Sequence, residues 1–204
     1  MAKGMITIYA LKPQFQKCVR WCAGNWMTPD MAIWLGVACA AAIGICFWLG
    51  FTVNPWILLV SAPLLIARMG FNALDGMLAR EKGLADKRGE VLNEITDVGG
   101  DLLSYVPAAV FAPTEAMRAM IFAVVIATLL AEFTGILGKA VTGTRRYEGP
   151  MGGKSDRAFW FGLGAIFYAI FPAAMEYAIP YLAVVLAFVL LTWFNRLRVL
   201  WKSV

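Results

Sequence analysis

Asn72, Asp75, Asn93, Asp97 and Asp101 are five oxygen-bearing side chains set into a chain that is otherwise mostly apolar. Carboxylates and carboxamides beside apolar runs are costly to bury and need a reason to be there. Their spacing supplies one. Asn72 and Asp75 lie three residues apart, and Asn93, Asp97 and Asp101 follow at intervals of four. On two helices, each set shares one face. Two such faces turned toward each other form an oxygen-rich pocket suited to a hard cation such as magnesium. Helix capping accounts for Glu90 and Glu94 near a helix start. It does not account for Asp75 at the far end of one apolar run, or for Asp101 three turns into the next.

The elements that must position these groups are read from composition. Of the 204 residues, 61% are hydrophobic and only 15% are charged, and the mean hydropathy is +0.70. A soluble domain of this size carries more charge. Six runs approach the length of about 20 apolar residues that crosses a bilayer. They fall at roughly 30–50, 56–75, 91–111, 117–139, 158–175 and 179–197. The expected fold is all-α, a polytopic membrane protein with six transmembrane helices and an N-terminal interfacial amphipathic helix. Residues 1–27 form the interfacial segment and 28–204 a single membrane domain. Within 5–23, Ile6, Ile8, Leu11, Phe15 and Val19 alternate with Lys12, Lys17 and Arg20 as in a helix lying among lipid headgroups, and no cleavable signal peptide is read there. Thr28-Pro29 is expected to open the first span and Asn54-Pro55 the second. The second helix is expected to run on through Arg80, with Gly83 and Gly89 as breaks.

Sixteen of the eighteen Lys and Arg residues fall on one side of a six-span layout. They occupy the N-terminal segment, the loop from Arg80 to Arg88, the loop from Lys139 to Arg157, and the C-terminus. The asymmetry makes that side cytoplasmic, with both termini and the polar cluster inside. The net charge of +5 then reads as topology and attraction to anionic membrane lipid. Nucleic acid is not an expected partner, because no basic-aromatic motif accompanies the charge. Cys18, Cys22, Cys39 and Cys46 have no histidine anywhere in the chain to complete a zinc site, and are expected to be reduced thiols.

The polar cluster has a longer order. Asn72-x2-Asp75-Gly76-x2-Ala79-Arg80-x8-Gly89-x3-Asn93-x3-Asp97 resembles the motif D-x2-D-G-x2-A-R-x8-G-x3-D-x3-D of the CDP-alcohol phosphotransferase family. Every spacing is kept, and Asn72 and Asn93 stand where the first and third aspartates belong. With these asparagines, Leu92-Asn93-Glu94-x2-Asp97 and Gly153-Lys154-Ser155-Asp156-Arg157, the chain is most similar to the YnbA-like bacterial branch. The resemblance implies an enzyme of phospholipid biosynthesis in the bacterial inner membrane. It would transfer a phosphatidyl group from CDP-diacylglycerol to a small alcohol and release CMP. It implies a homodimer, one or two Mg2+ or Mn2+ ions held by Asn72, Asp75, Asn93 and Asp97, and nucleotide contacts from Asp75, Gly76, Ala79, Arg80 and Gly89. Asp97 would be the base toward the acceptor hydroxyl. The chemistry is consistent, since a phosphoryl centre flanked by anionic oxygens needs cations and alignment. The guanidinium fork of Arg80 suits a phosphate.

The asparagines alter the metal chemistry, because a carboxamide offers one neutral oxygen and bridges cations poorly. Three outcomes are open: the site holds one ion, it recruits Asp101 one turn beyond Asp97, or it has lost catalysis. Recruitment of Asp101 in an active enzyme is the expectation, and a CDP-lipid-binding pseudoenzyme or partner subunit is the alternative. A transporter is disfavoured, because intramembrane charge is confined to one half of the bilayer. Four basic residues and one acid extend the candidate site. Glu132, in the fourth span, is expected to face the bundle interior in an acceptor-side or structural polar role. Arg68, one turn before Asn72, is expected to face the site or pair with a carboxylate. Lys154 and Arg157, with Arg145 in the preceding loop, are candidates for an acceptor or lipid phosphate. Lys154 and Arg157 lean toward a phosphorylated acceptor, with glycerol phosphate, an inositol phosphate, serine and a sugar carrier all open.

Overall fold

The computed structural model describes residues 12–24, 26–143 and 149–203, and every regular element among them is helical. They comprise α1 (Lys12–Ala23), α2 (Pro29–Thr52), α3 (Leu58–Glu81), α4 (Lys87–Phe111), α5 (Glu115–Thr142), α6 (Lys154–Ile170) and α7 (Ala178–Trp201). Short 3-10 turns at Pro55–Ile57 and Pro172–Tyr177 lead into α3 and α7. Each of the six apolar runs overlaps one of α2 to α7, although 158–175 overruns α6 at Ile170 into the Pro172–Tyr177 turn. Among the described residues, four stretches are long and apolar enough to cross a membrane: Pro29–Thr52, Pro55–Glu81, Glu115–Thr142 and Met175–Trp201. The other two differ for simple reasons. α4 has polar residues through its first half, and α6 has only 17 residues.

Local chemistry sets the boundaries. Thr28 Oγ1 accepts a hydrogen bond from the Met31 N–H at 3.2 Å, and Pro29 occupies the first turn, so α2 starts where a cap and a proline coincide. Asn54 Oδ1 accepts from the Trp56 N–H at 3.0 Å and restarts the chain. Gly83, at φ +65°, turns the chain after α3. The expected break at Gly89 is not found. Asp86 caps α4 by accepting from the Gly89 N–H at 2.6 Å, so the helix begins at Lys87 and Gly89 lies in its first turn. Of the expected interfacial helix, residues 12–23 are helical as α1, and 5–11 lie outside the described residues.

α2 packs on α3 and α4, α4 on α5, α5 on α7, and α3 on α6. The core holds Ile43, Phe47, Leu58, Tyr105, Phe161 and Val189, with the Tyr105 and Phe161 rings stacked at 4.0 Å. Where α2 crosses α4 the backbones touch. A Cβ on Gly44 would come within 2.2 Å of the Leu103 carbonyl oxygen, and Pro107 cannot donate the helical bond that oxygen would otherwise accept. Close approach through small residues is how helices associate without a hydrophobic drive. Large apolar side chains point outward on every long helix, including Trp48, Ile66, Ile126, Phe133, Val184 and Leu191. That is the distribution of a bundle whose surroundings are apolar. Cys18, Cys39 and Cys46 are free thiols, and the Cys22 side chain lies outside what is described.

α1 is tied across the end of α3. Arg20 Nε is 2.7 Å from Glu81 Oε2, and the Lys82 ammonium donates to the Met27 carbonyl at 2.8 Å. Val19 and Phe71 close a second apolar cluster with Met27, Leu74 and Leu78. This anchors the α3 terminus that carries the polar motif.

Candidate active site

The C-terminal half of α3 and the first half of α4 face one cavity of about 1630 Å3. Asn72, Asp75, Gly76, Ala79 and Arg80 line it from α3, and Gly89, Asn93 and Asp97 from α4. All eight motif positions therefore meet in one space. Lys154 enters it from the start of α6. Arg145 lies outside the described residues.

Asp75 is buried, and its Oδ1 accepts a hydrogen bond from the Gly76 N–H. Arg80 lies over Gly76, with its Nη1 at ordinary contact distance, 3.4 Å, from where a Cβ would sit. The guanidinium thus folds back beside the aspartate and toward the cavity. Asn72 presses against α2, where a Cβ on Gly36 would come within 2.8 Å of Asn72 Oδ1. Its Nδ2 is buried with no hydrogen-bond partner. An amide nitrogen left unpaired costs free energy, and rotation of the carboxamide would present oxygen at the same place. Asp97 Oδ1 is ion-paired with the Lys154 ammonium. The carbonyl oxygen of Asp97 accepts from Arg68 Nη2 at 3.2 Å.

The loop before α6 aims Lys154. A Cβ on Gly149 or Gly152 would come within 2.2 or 2.3 Å of Thr192 Oγ1 on α7, so only glycine lets this loop lie so close. Asp156 then accepts from the Gly153 N–H at 3.1 Å and caps the helix. Lys154 is left at the cavity edge, and Arg157 turns inward.

Arg68, Asp101, Glu132 and Arg157 do not line the cavity. They form a buried chain of ion pairs one turn deeper. Arg68 Nη2 is 2.8 Å from Asp101 Oδ1, and Arg157 Nη2 is 2.9 Å from Asp101 Oδ2 and 3.0 Å from Glu132 Oε1. Arg196 Nη1 continues the chain at 3.5 Å from Glu132 Oε1 and donates to the Ala131 carbonyl at 2.6 Å. Arg157 is 0% exposed, and its Nη1 bonds the Gly152 carbonyl at 3.1 Å. The structure therefore gives both Asp101 oxygens to arginines, and Arg157 to carboxylates instead of a phosphate. Glu132 and Arg68 are thus bound to arginines and to a carboxylate, respectively, away from the cavity wall where an acceptor contact would lie.

Two members of this region escaped the sequence reading. Gly100 makes room for Arg68, since a Cβ there would come within 2.7 Å of Nη2. Arg196 reaches both the cavity and Glu132. An arginine embedded near the end of an apolar helix, with a lone glutamate in another, was the available signal.

Among the described residues, no group of three or more His, Cys, Asp or Glu side chains is arranged to hold a metal ion. The motif positions offer two carboxylates and two carboxamides, all oxygen donors of the kind magnesium or manganese takes. With the unpartnered Asn72 amide beside Asp75, this donor set fits a hard cation.

Inner membrane protein YnbA of Escherichia coli (strain K12) is 34% identical to the chain over 197 residues, covering 95% of the chain and 96% of that protein. The fold matches phosphatidylinositol phosphate synthase of Mycobacterium tuberculosis in complex with manganese and citrate, with a TM-score of 0.70 and 19% identity, over 92% of this chain and 88% of that one. The same enzyme with CDP-DAG bound matches with a TM-score of 0.68 and 18% identity, over 92% and 93% of the two chains. No family model matches the chain.

Proposed function

The chain belongs to the family of inner membrane protein YnbA, and from that premise, the shared fold and the motif-lined cavity we propose that it is a CDP-alcohol phosphotransferase. It would transfer the phosphatidyl group of CDP-diacylglycerol to a small alcohol in a bacterial inner membrane. The carrying observation is that all eight motif positions line a single cavity whose wall continues into apolar, outward-exposed residues. Leu65, Ile66 and Met69 of α3 and Phe159, Leu163 and Ile166 of α6 extend its wall away from the polar end. Ile66, Phe159 and Leu163 are exposed on the outer surface. A substrate with a charged nucleotide and two acyl chains needs such a divided space.

In this reading all six of α2 to α7 cross the bilayer, with both termini and the polar end of the cavity cytoplasmic. The basic loops support that orientation. α4 crosses with its carboxylates turned inward, as its ion pairs with α3 and α6 allow. Homodimerisation belongs to the proposal by the resemblance alone.

Asn72, Asp75, Asn93 and Asp97 would hold the divalent cation, magnesium or manganese. Such an ion neutralises charge on a pyrophosphate and on the transferred phosphoryl group. Arg80 binds phosphate oxygens, and Gly76, Ala79 and Gly89 let the nucleotide approach the backbone. The acceptor oxygen forms a bond to the phosphorus that carries diacylglycerol. The pyrophosphate bond breaks, CMP leaves, and the acceptor proton passes to the Asp97 carboxylate. Lys154 must loosen its hold on Asp97 in that step. The test is CMP release from CDP-diacylglycerol by purified protein with a panel of acceptors and with magnesium or manganese, run beside Asp97→Asn.

One observation favours a second reading. Asn72 and Asn93 weaken metal binding, and Lys154 engages Asp97, the one motif carboxylate on α4, as in a CDP-lipid-binding protein without turnover. Tight CDP-diacylglycerol binding with no CMP release from any acceptor would select it.

A further inference from the structure

We propose that Lys154 serves as a cation of the site, on a fixed backbone, and that the site takes a single divalent ion. The inference rests on the transferase reading above and concerns how the chain's own residues divide the charge. Asn72 and Asn93 leave the motif with two carboxylates, Asp75 and Asp97. Asp97 is already ion-paired with Lys154, whose side chain is 22% exposed against 16% for the aspartate. Asp75 has no ion pair among those found in the described residues, and its Oδ1 accepts only from the adjacent Gly76 N–H. Of the two motif carboxylates, Asp75 is therefore the one outside an ion pair, with the Asn72 carboxamide one turn away on the same helix, while Glu90 and Glu94 at the cavity wall are paired with Lys139.

Lys154 is held as a built element of the site. Gly149 and Gly152 lie flat against Thr192, Asp156 caps the helix, and Arg157 is locked to Asp101 and Glu132 one turn later. These contacts fix the backbone from which the lysine reaches. Arg68 adds a second positive group against the backbone of Asp97. Two divalent ions placed among two carboxylates, with an ammonium already on one of them, would repel each other with little compensation. A single divalent ion held by the motif oxygens and the Lys154 ammonium would together supply the positive charge that a pyrophosphate needs. An ammonium is a point charge with rotatable donors, suited to that place.

The test is Mn2+ titration of the purified full-length protein, alone and saturated with CDP-diacylglycerol, with free and bound ion counted by electron paramagnetic resonance. The wild-type chain is expected to bind one ion with no spin coupling. Lys154→Met, which frees Asp97 and removes a positive charge, is expected to bind Mn2+ at least tenfold tighter, and Lys154→Arg to match the wild type. Two ions per wild-type chain, or a Lys154→Met titration unchanged from wild type, overturns the inference while leaving the transferase reading in place. Absence of bound Mn2+ in every form, with and without CDP-diacylglycerol, overturns the metal-dependent reading together with it.

Discussion

Arg157 Nη2 lies 2.9 Å from Asp101 Oδ2 in a position that excludes solvent from the arginine altogether. This pair joins α6 to α4, and Glu132 and Arg68 extend it to α5 and α3. Charges sequestered in this way are tolerated only while each keeps its partners.

Removal of the shared arginine should therefore be costly. Arg157→Met strips Asp101 and Glu132 of their common partner, and the loss of one member of a buried pair is worth roughly 3–5 kcal/mol. Thermal unfolding in detergent micelles should show a large drop in midpoint. An unchanged midpoint would mean that water reaches these carboxylates.

Asp101 separates the structural network from the metal site. Asp101→Asn should lower thermal stability yet leave Mn2+ affinity within about twofold, a difference of only ~0.4 kcal/mol. Both Asp101 oxygens face arginines, and it does not line the cavity. A tenfold loss of Mn2+ affinity would return Asp101 to the role of substitute ligand that the sequence suggests.

Neighbouring glycines should respond in opposite ways. Gly100→Ala places a methyl within 2.7 Å of Arg68 Nη2 and should cost about 1–3 kcal/mol. Gly99→Ala meets nothing within 4 Å and should be neutral or stabilising by up to about 1 kcal/mol, since alanine favours a helix interior. Paired melting curves decide it, and equal effects would contradict the close packing of Arg68 on α4.

Much of this arrangement was legible in the sequence because membrane helices carry a strong signal. The six apolar runs each overlap a helix, with 158–175 overrunning α6, and Thr28 caps α2 as its place before Pro29 suggests. The motif positions meet because intervals of three and four residues lie on one helical face. What was not legible lies between helices. Asp101 continues the Asp97 face, so spacing alone assigns it to the same site. Only the approach of Arg68 and Arg157 from α3 and α6 takes it away. Gly89 reads as a breaker by composition, and the Asp86 cap makes it a first-turn residue instead. Arg157 shares the helix start with Lys154, yet one points to the cavity and the other into the bundle, a difference set by the Gly152–Thr192 contact.

Arg80 should matter for the donor substrate more than for the fold. It lines the cavity beside Gly76, and lysine lacks the planar fork that grips two phosphate oxygens. Arg80→Lys should raise the KM for CDP-diacylglycerol about tenfold, equivalent to ~1.4 kcal/mol, with melting unchanged. A lowered midpoint with unchanged KM would assign Arg80 to packing.

The most direct test of the central claim is a balance sheet of products. Purified protein is incubated with CDP-diacylglycerol, manganese and a set of alcohols, and CMP and newly formed phosphatidyl lipid are quantified together. Phosphatidyl transfer predicts equal amounts of the two, both lost on chelation and in Asp97→Asn. CDP-diacylglycerol bound but not consumed with any acceptor, or CMP released without a matching phosphatidyl lipid, would contradict it.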